Sequence, residues 1–218
     1  KEAGGILHCD GVQAVGKIPV DMRRTPIDLL SFSGHKIHAP KGIGALYIRR
    51  GTRLKPYLLG GHQENGRRAG TENVAFIAGL ARACDLAGEH LPRRNEIAAL
   101  RDRLEAGLLE RCPDASVNGD RARRVPNTTN MSFSFIEGEA ILYHLSDLGI
   151  CASSGSACSS GSLEPSHVIR AMGIPFTAAH GWIRFSLSRY NTADHVEYVL
   201  EHMPKIVEKL RRMSPFVS

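Results

Sequence analysis

The stretch LLSFSGHKIHAPKGIG, Leu29 to Gly44, decides how this chain is read. Leu29-Leu30-Ser31-Phe32 is an apolar run and reads as a buried strand. It ends in the small and polar residues Ser33-Gly34-His35 and then delivers Lys36. Pro40, Gly42 and Gly44 lead into a second apolar run, Ala45-Leu46-Tyr47-Ile48. A surface lysine needs no such setting. A lysine at the mouth of a sheet suits an amine that must shed its proton and react, because desolvation lowers its pKa toward the roughly 7–8 that such chemistry requires. A purely structural strand-end lysine is the alternative. Ser33 and His35 put a hydroxyl and an imidazole within reach of an anion beside the amine.

Upstream, Ile6-Leu7-His8-Cys9-Asp10 reads as a short buried strand ending in an acid. Open α/β sheets place ligands at the carboxyl ends of their strands. An unpaired carboxylate buried there is costly without a cationic partner. Asp10-Gly11 is also a good turn pair, so a turn aspartate is the other reading. Gln13, one turn on, can point the same way as Asp10. Asp10 and Lys36 together suggest one cofactor. Pyridoxal phosphate bonds to a lysine and commonly needs an acid at its ring nitrogen, which keeps the ring able to accept electrons.

The 218 residues suit one large domain or two modest ones, and 42% hydrophobic content is enough for a packed core. No stretch approaches the roughly 20 apolar residues of a membrane span. The chain starts at Lys1 without a signal peptide, and GGILHCDGVQ enters a strand almost at once, so it reads as part of a longer protein. Net charge is +6, carried by 28 basic and 22 acidic side chains. The basic residues are scattered as short pairs such as Arg67-Arg68, without interleaved aromatics or a nucleic-acid motif. They read as solvated surface charge, with a phosphate-bearing ligand or an acidic protein as the other possibility. Five cysteines, Cys9, Cys84, Cys112, Cys151 and Cys158, include no CxxC pair. An odd count with that spacing argues against a disulfide framework or structural zinc and for a reducing, cytosolic compartment. One thiol is expected to do chemistry and the other four to be packing residues.

The class is α/β. Strands are expected over Ile6–Asp10, Ile27–Phe32 and Ala45–Ile48, then a glycine-rich loop from Leu59 to Thr71. A helix follows from Asn73 to about Ala87, with Val74, Ile77, Ala78 and Ala81 on its apolar face. Thr71 sits between the loop and the helix, where a hydroxyl and free amides favour an anion; an ordinary N-cap is the compatible alternative. Pro92 opens a long amphipathic helix. Ile97, Leu100, Leu104 and Leu108 form its stripe, with Arg101, Arg103 and Glu105 facing away. Strands are expected over Ser116–Asn118, Thr129–Phe135, Ile150–Ser153 and Trp182–Leu187, and helices over Gly138–Leu148, Ser166–Met172 and Thr192–Leu210, with Thr192 an N-cap. Residues 1–91 are then the C-terminal part of a large ligand-binding domain, and residues 92–218 a small α+β domain.

Two further residues stand out. Cys158 lies in SSGSACSSGS, Ser153 to Ser162, where glycine, alanine and serine barely shield a thiol. It reads as a nucleophile on a mobile tip or as an unexplained exposed cysteine, and the GxSxG elbow does not fit. Arg184 interrupts the apolar strand WIRFS. Such an arginine is usually paired with a carboxylate, either the protein's own or a substrate's.

Taken in order, HCDGVQAVGKIPVD, SFSGHKIHAPKGIGALYIRR, GGHQENGRRAGTEN, SSGSACSSGSLEPSHVIRAMG and GWIRFSLSRYNT resemble the cysteine desulfurases of the NifS/IscS type, within the class-V aminotransferases. The resemblance runs over nearly the whole chain and is closest to the nitrogen-fixation branch. It implies the fold-type I pyridoxal-phosphate fold and an obligate homodimer. Lys36 would bond to the cofactor, Asp10 would pair with its ring nitrogen, and Gln13 would contact the ring hydroxyl. Ser33 and His35 would bind the phosphate, and Thr71 the phosphate held by the neighbouring subunit. Arg184 would clamp the carboxylate of L-cysteine. Cys158 would take the sulfur as a persulfide for an iron–sulfur scaffold of the NifU/IscU kind, where it could transiently ligate a cluster. Family members carry a further N-terminal region, so the chain is expected to be a fragment that does not hold the cofactor well alone. The alternatives are a selenocysteine lyase or aminotransferase of the same fold, a non-catalytic docking module, and a metal site using His35, His38 and Cys9.

Overall fold

The computed structural model describes residues 4–154 and 166–214. The chain divides into two compact units, Lys1–Arg93 and Arg94–Ser218. Among the described residues, no helix is long and apolar enough to cross a membrane.

The first unit is built on a sheet of three strands in the order β1 (His8–Asp10), β2 (Leu29–Ser33), β3 (Gly44–Ile48). β1 and β2 are parallel, with Asp10 opposite Ser31. β2 and β3 are antiparallel, with Ser33 opposite Gly44. A 3-10 turn, Gly34–Ile37, continues directly from β2 and closes at His38, whose φ of 70° is left-handed. Gly34 is needed at its start: a Cβ there would lie 3.0 Å from the side chains of Ala39 and Ile43 and from the Ile43 carbonyl. The glycine-rich loop contains one helical turn, α1 (Gln63–Gly66), in which Glu64 and Asn65 take φ of 51° and 55°. Helix α2 (Val74–His90) then packs on the 3-10 turn.

Two expectations are corrected here. β1 is not buried: it pairs on one side only among the described residues, and His8 and Asp10 are exposed. The buried face of α2 is Leu80, Ala83 and Ala87, while Val74 and Ile77 are exposed. The helix turns inward the side whose small residues permit close approach. A Cβ on Gly79 would meet Pro40 at 3.0 Å, and Ala87 lies against Gly16. The resulting core is small: Ile37, Leu80 and Ala83, with Phe32, Ala39 and Ile43 against them.

The second unit carries a separate antiparallel sheet, β4 (Ala115–Val117), β5 (Thr128–Phe133) and β6 (Trp182–Ser186), in that order. Helices α3 (Arg94–Arg111), α4 (Gly138–Asp147) and α7 (Ala193–Met213) cover it, and α5 (His167–Ala171) and α6 (Phe176–Ala179) are single short helices. Leu108, Met131, Phe133, Ile141, Ile183 and Met203 are fully buried at its centre. α3 starts after a 3-10 turn at Leu91–Arg93 rather than at Pro92. α7 begins after Thr192, whose backbone amide donates to His195 Nδ1 at 3.2 Å. The strand expected at Ile150–Ser153 is a single bridge, Ser153 to Arg184.

α3 overturns a further expectation. Its apolar stripe is as read, but Arg101 and Glu105 do not face away; they are 6% and 0% exposed. Glu105 accepts from Arg124 at 2.5 Å and from the Thr129 hydroxyl at 2.6 Å, and Arg121 lies 2.9 Å from its other oxygen. Arg101 donates to the carbonyls of Val125 and Thr128. Together they fasten the arginine-rich loop before β5 to the helix. Burial pushes the Glu105 carboxyl up, but the hydrogen bonds from Arg124 and Thr129 and the charges of Arg124 and Arg121 outweigh it, and its pKa ends below the usual glutamate value.

A carboxyl held low stabilises the fold fully above the unfolded glutamate pKa of about 4.3 and loses that contribution as pH falls through the lower folded value. Glu105→Ala, which leaves half-buried Arg124 with only the carboxylate of Asp102, 3.5 Å away, is expected to cost about 1–3 kcal/mol at neutral pH. In urea unfolding at pH 7 and at about pH 3, the stability gap between wild type and Glu105→Ala should shrink in acid. A gap that is absent at neutral pH or unchanged in acid contradicts this role.

Candidate active site

Parallel pairing of β1 and β2 brings the carboxyl ends of both strands to one edge of the first sheet. Asp10 is the last residue of β1 and Ser33 the last of β2, and His35 and Lys36 ride on the 3-10 turn beyond Ser33. An acid, a hydroxyl, an imidazole and an amine therefore gather on one sheet edge. Asp10 Oδ1 accepts from the Val12 amide at 2.9 Å, so the turn role and an open carboxylate coexist. Ser33 Oγ and His35 Nδ1 are 2.7 Å apart. Lys36 is half-buried, and among the described residues its amine has no bonded partner. Its backbone carbonyl accepts from Lys17 Nζ at 3.3 Å. Gln13 lies in the turn after β1, exposed.

Two residues that touch these elements escaped the sequence reading. His8 shares a strand face with Asp10 by the two-residue period, and its Nε2 lies 3.1 Å from Ser31 Oγ. Lys17 reaches back from the segment after β1. Neither carries a sequence signal, because each is defined by a partner on the neighbouring strand or the turn beyond it.

Thr71 is exposed and does not cap α2. Asn73 does, accepting from the Phe76 amide at 3.2 Å. Arg68 donates to the Gly70 carbonyl at 3.3 Å. In the second unit, Arg184 is in the middle of β6 opposite Asn130, half-buried, with its backbone bonded both ways to Ser153. No carboxylate among the described residues pairs with its guanidinium. Ser153 and Ser154 directly precede the segment that contains Cys158, which lies outside the described residues. Among the described residues no group of three or more His, Cys, Asp or Glu side chains gathers to hold a metal, so His35, His38 and Cys9 do not form one.

The donors of the first unit are a primary amine, a carboxylate at the neighbouring strand end, and a hydroxyl–imidazole pair. That set matches a ligand with an aldehyde, a basic ring nitrogen and a phosphate, which is the chemistry of pyridoxal phosphate. Of the described cysteines only Cys112 is buried, so the expectation that all but one are packing residues is corrected: Cys84 and Cys151 are exposed and Cys9 is intermediate. Burial pushes the Cys112 thiol up to about 11, against the opposing charges of Arg211 and Arg111. Partial desolvation by its neighbours, with Asp85 beside it, also raises the exposed Cys84 thiol. Neither is suited to nucleophilic work at neutral pH.

The Aminotransferase class-V family profile matches residues 1–199. A cysteine desulfurase of Nostoc sp. is 62% identical over 217 residues, covering 99% of this chain and 54% of its own length. The cysteine desulfurase NifS of Azotobacter vinelandii is 58% identical over 218 residues, again 54% of its length. A solved structure of a NifS-like protein, 38% identical, superposes with a TM-score of 0.86 over 96% of this chain and 54% of its own. The chain thus spans about half the length of the curated relatives it matches.

The thiol environments make a direct prediction. In the native protein near pH 7.5, an alkylating reagent followed by peptide mass analysis should modify Cys151 readily and leave Cys112 unmodified until denaturant is added, since thiolate is the reacting form. Equal labelling of the two contradicts the burial described here.

Proposed function

Since the chain belongs to the class-V aminotransferase family and carries the fold-type I architecture, we propose that it is the part of a pyridoxal-phosphate-dependent cysteine desulfurase that holds the cofactor-bonding lysine, the sulfur-accepting cysteine and the substrate-binding arginine. The observation that carries the reading is the meeting of Asp10 and the Ser33-His35-Lys36 run at the carboxyl edge of one parallel strand pair.

Pyridoxal phosphate, when bound, supplies a ring that draws electrons from the substrate's α-carbon. The protein's own groups do the rest. Lys36 would hold the cofactor through its amine, and the same amine, when free, would take the substrate's α-proton. Asp10 would keep a cationic ring nitrogen paired, and Gln13 would contact the ring hydroxyl. Ser33 and His35 would bind the phosphate through a hydroxyl and an imidazole, and Thr71 would serve the phosphate of a second subunit in a homodimer. Arg184 receives the substrate carboxylate in a two-pronged contact, for which a guanidinium is suited. The Cys158 thiolate attacks the substrate sulfur: the carbon–sulfur bond breaks, a sulfur–sulfur bond forms, and L-alanine leaves a persulfide on the enzyme. The small residues around Cys158 suit delivery of that persulfide to an iron–sulfur scaffold protein in the cytoplasm, where Cys158 can transiently ligate a cluster. A role in nitrogenase cofactor assembly is supported by the likeness to NifS.

Lys36→Ala is expected to lose the visible absorbance of bound cofactor. Cys158→Ala should keep that absorbance and still respond to L-cysteine, while sulfide release falls by at least about 10³-fold. Sulfide release at the normal rate from Cys158→Ala would instead favour a lyase or transaminase that needs no thiol. Absence of any cofactor band in a wild-type polypeptide of the relatives' full length, rather than in these 218 residues alone, would favour a docking module.

A further inference from the structure

We propose that Lys17 is a positioning residue for Lys36, holding in place the peptide from which the reactive amine projects. The inference rests on the cofactor-bonding role of Lys36 proposed above and concerns how that lysine is aimed.

The segment after β1 is stiff. Ala14 and Val15 both donate to the Gly11 carbonyl at 2.9 Å, and Lys17 and Ile18 donate to the Ala14 carbonyl at 3.0 and 3.1 Å. It is also pressed against the turn that carries Lys36. Gly16 has φ of 74°, and a Cβ on it would lie 3.0 Å from Ile37 and 3.1 Å from Ala87. Only glycine satisfies both the backbone conformation and the space. Next to this contact, the half-buried Lys17 donates to the Lys36 carbonyl at 3.3 Å.

That carbonyl is where a donor is needed. The last carbonyls of a short helical turn have no partner within the turn. The 3-10 turn uses the Gly34 carbonyl to accept from His38 and Ala39, and the His35 carbonyl to accept from His38. The Lys36 carbonyl is served instead by Lys17, from a segment nineteen positions earlier in the chain. The same segment begins at Asp10. Lys17 therefore ties the strand end that carries the acid to the turn that carries the amine, and Gly16 sets the spacing between them. An ammonium on a flexible stem is a charge-assisted donor, stronger than a neutral one, and it acts on the backbone rather than on the ligand.

The test uses the protein loaded with pyridoxal phosphate and compares Lys17→Met, Lys17→Arg and Gly16→Ala with wild type. Lys17→Met removes the donor and keeps the stem. It should weaken the visible circular dichroism of the bound cofactor, which reports a fixed orientation, and lower kcat about tenfold, as small misplacements of a reacting group do. KM for L-cysteine should change little, and Lys17→Arg should recover most of both signals. Gly16→Ala, which retains Lys17 but displaces its segment from Ile37, should weaken the dichroism in the same way and serves if Lys17→Met does not fold. Unchanged dichroism and kcat in Lys17→Met overturn the inference. So does a loss that Lys17→Arg does not recover and that follows thermal stability alone. Wild type in which borohydride attaches no cofactor to Lys36 refutes the function proposed above, a result separable from either.

Discussion

The first unit depends on the side-by-side, same-direction pairing of a three-residue strand with its neighbour. β1 and β2 run parallel, and their carboxyl ends share an edge. Three residues of ladder are too few to fix register by themselves, because a slip of one residue turns every side chain to the other face of the sheet. The chain adds a clamp at the opposite end. Buried Asp28 accepts from the Leu7 amide at 2.9 Å through its side chain, while its own amide and that of Leu29 donate to the Leu7 carbonyl. Arg49, at the end of β3, reaches the carbonyls of Met22, Thr25 and Ile27 and lies 3.9 Å from Asp28. Asp10 faces the ligand edge because Leu7 is held three residues earlier.

The second unit is organised around different forces. Its core is large and aliphatic, and it buries a carboxylate only by surrounding it with arginines and a hydroxyl. Within it, α3 and α7 pack closely: a Cβ on Gly107 would meet Leu200 at 2.7 Å. β6 is a buried strand interrupted by Arg184, which pairs opposite Asn130 and whose guanidinium has no acidic partner among the described residues. A cation kept half-buried and unpaired costs stability, and such a cost is commonly retained where a ligand supplies the missing charge.

Local signals in the sequence carried the element order well, because apolar runs and turn residues are themselves local. Leu29–Phe32, the helix around Leu104 and Leu108, and the start of α7 after Thr192 are all visible in their own few residues. The departures share one cause. The α2 face was misread because Val74, Ile77 and Ala81 and Leu80, Ala83 and Ala87 both repeat with helical spacing, and only Gly79 and Ala87, by admitting Pro40 and Gly16, decide between them. Glu105 was read as solvent-facing because its partners, Arg124 and Thr129, arrive from 19 and 24 positions away. Thr71 lost the capping role to Asn73 two residues on, a shift that composition alone does not resolve. For the candidate site, Asp10, Ser33, His35 and Lys36 were legible as strand-end residues, whereas His8 and Lys17 emerge only when strand and turn are set side by side.

The central claim is that Asp10 and Lys36 address one ligand from adjacent strand ends. Diffraction from crystals of the protein grown with pyridoxal phosphate tests it most directly. Electron density should run unbroken from Lys36 Nζ to the cofactor, with the Asp10 carboxylate at the ring nitrogen and the phosphate beside Ser33 and His35. Cofactor attached to another lysine, or an Asp10 carboxylate turned away from the ring, would contradict the account.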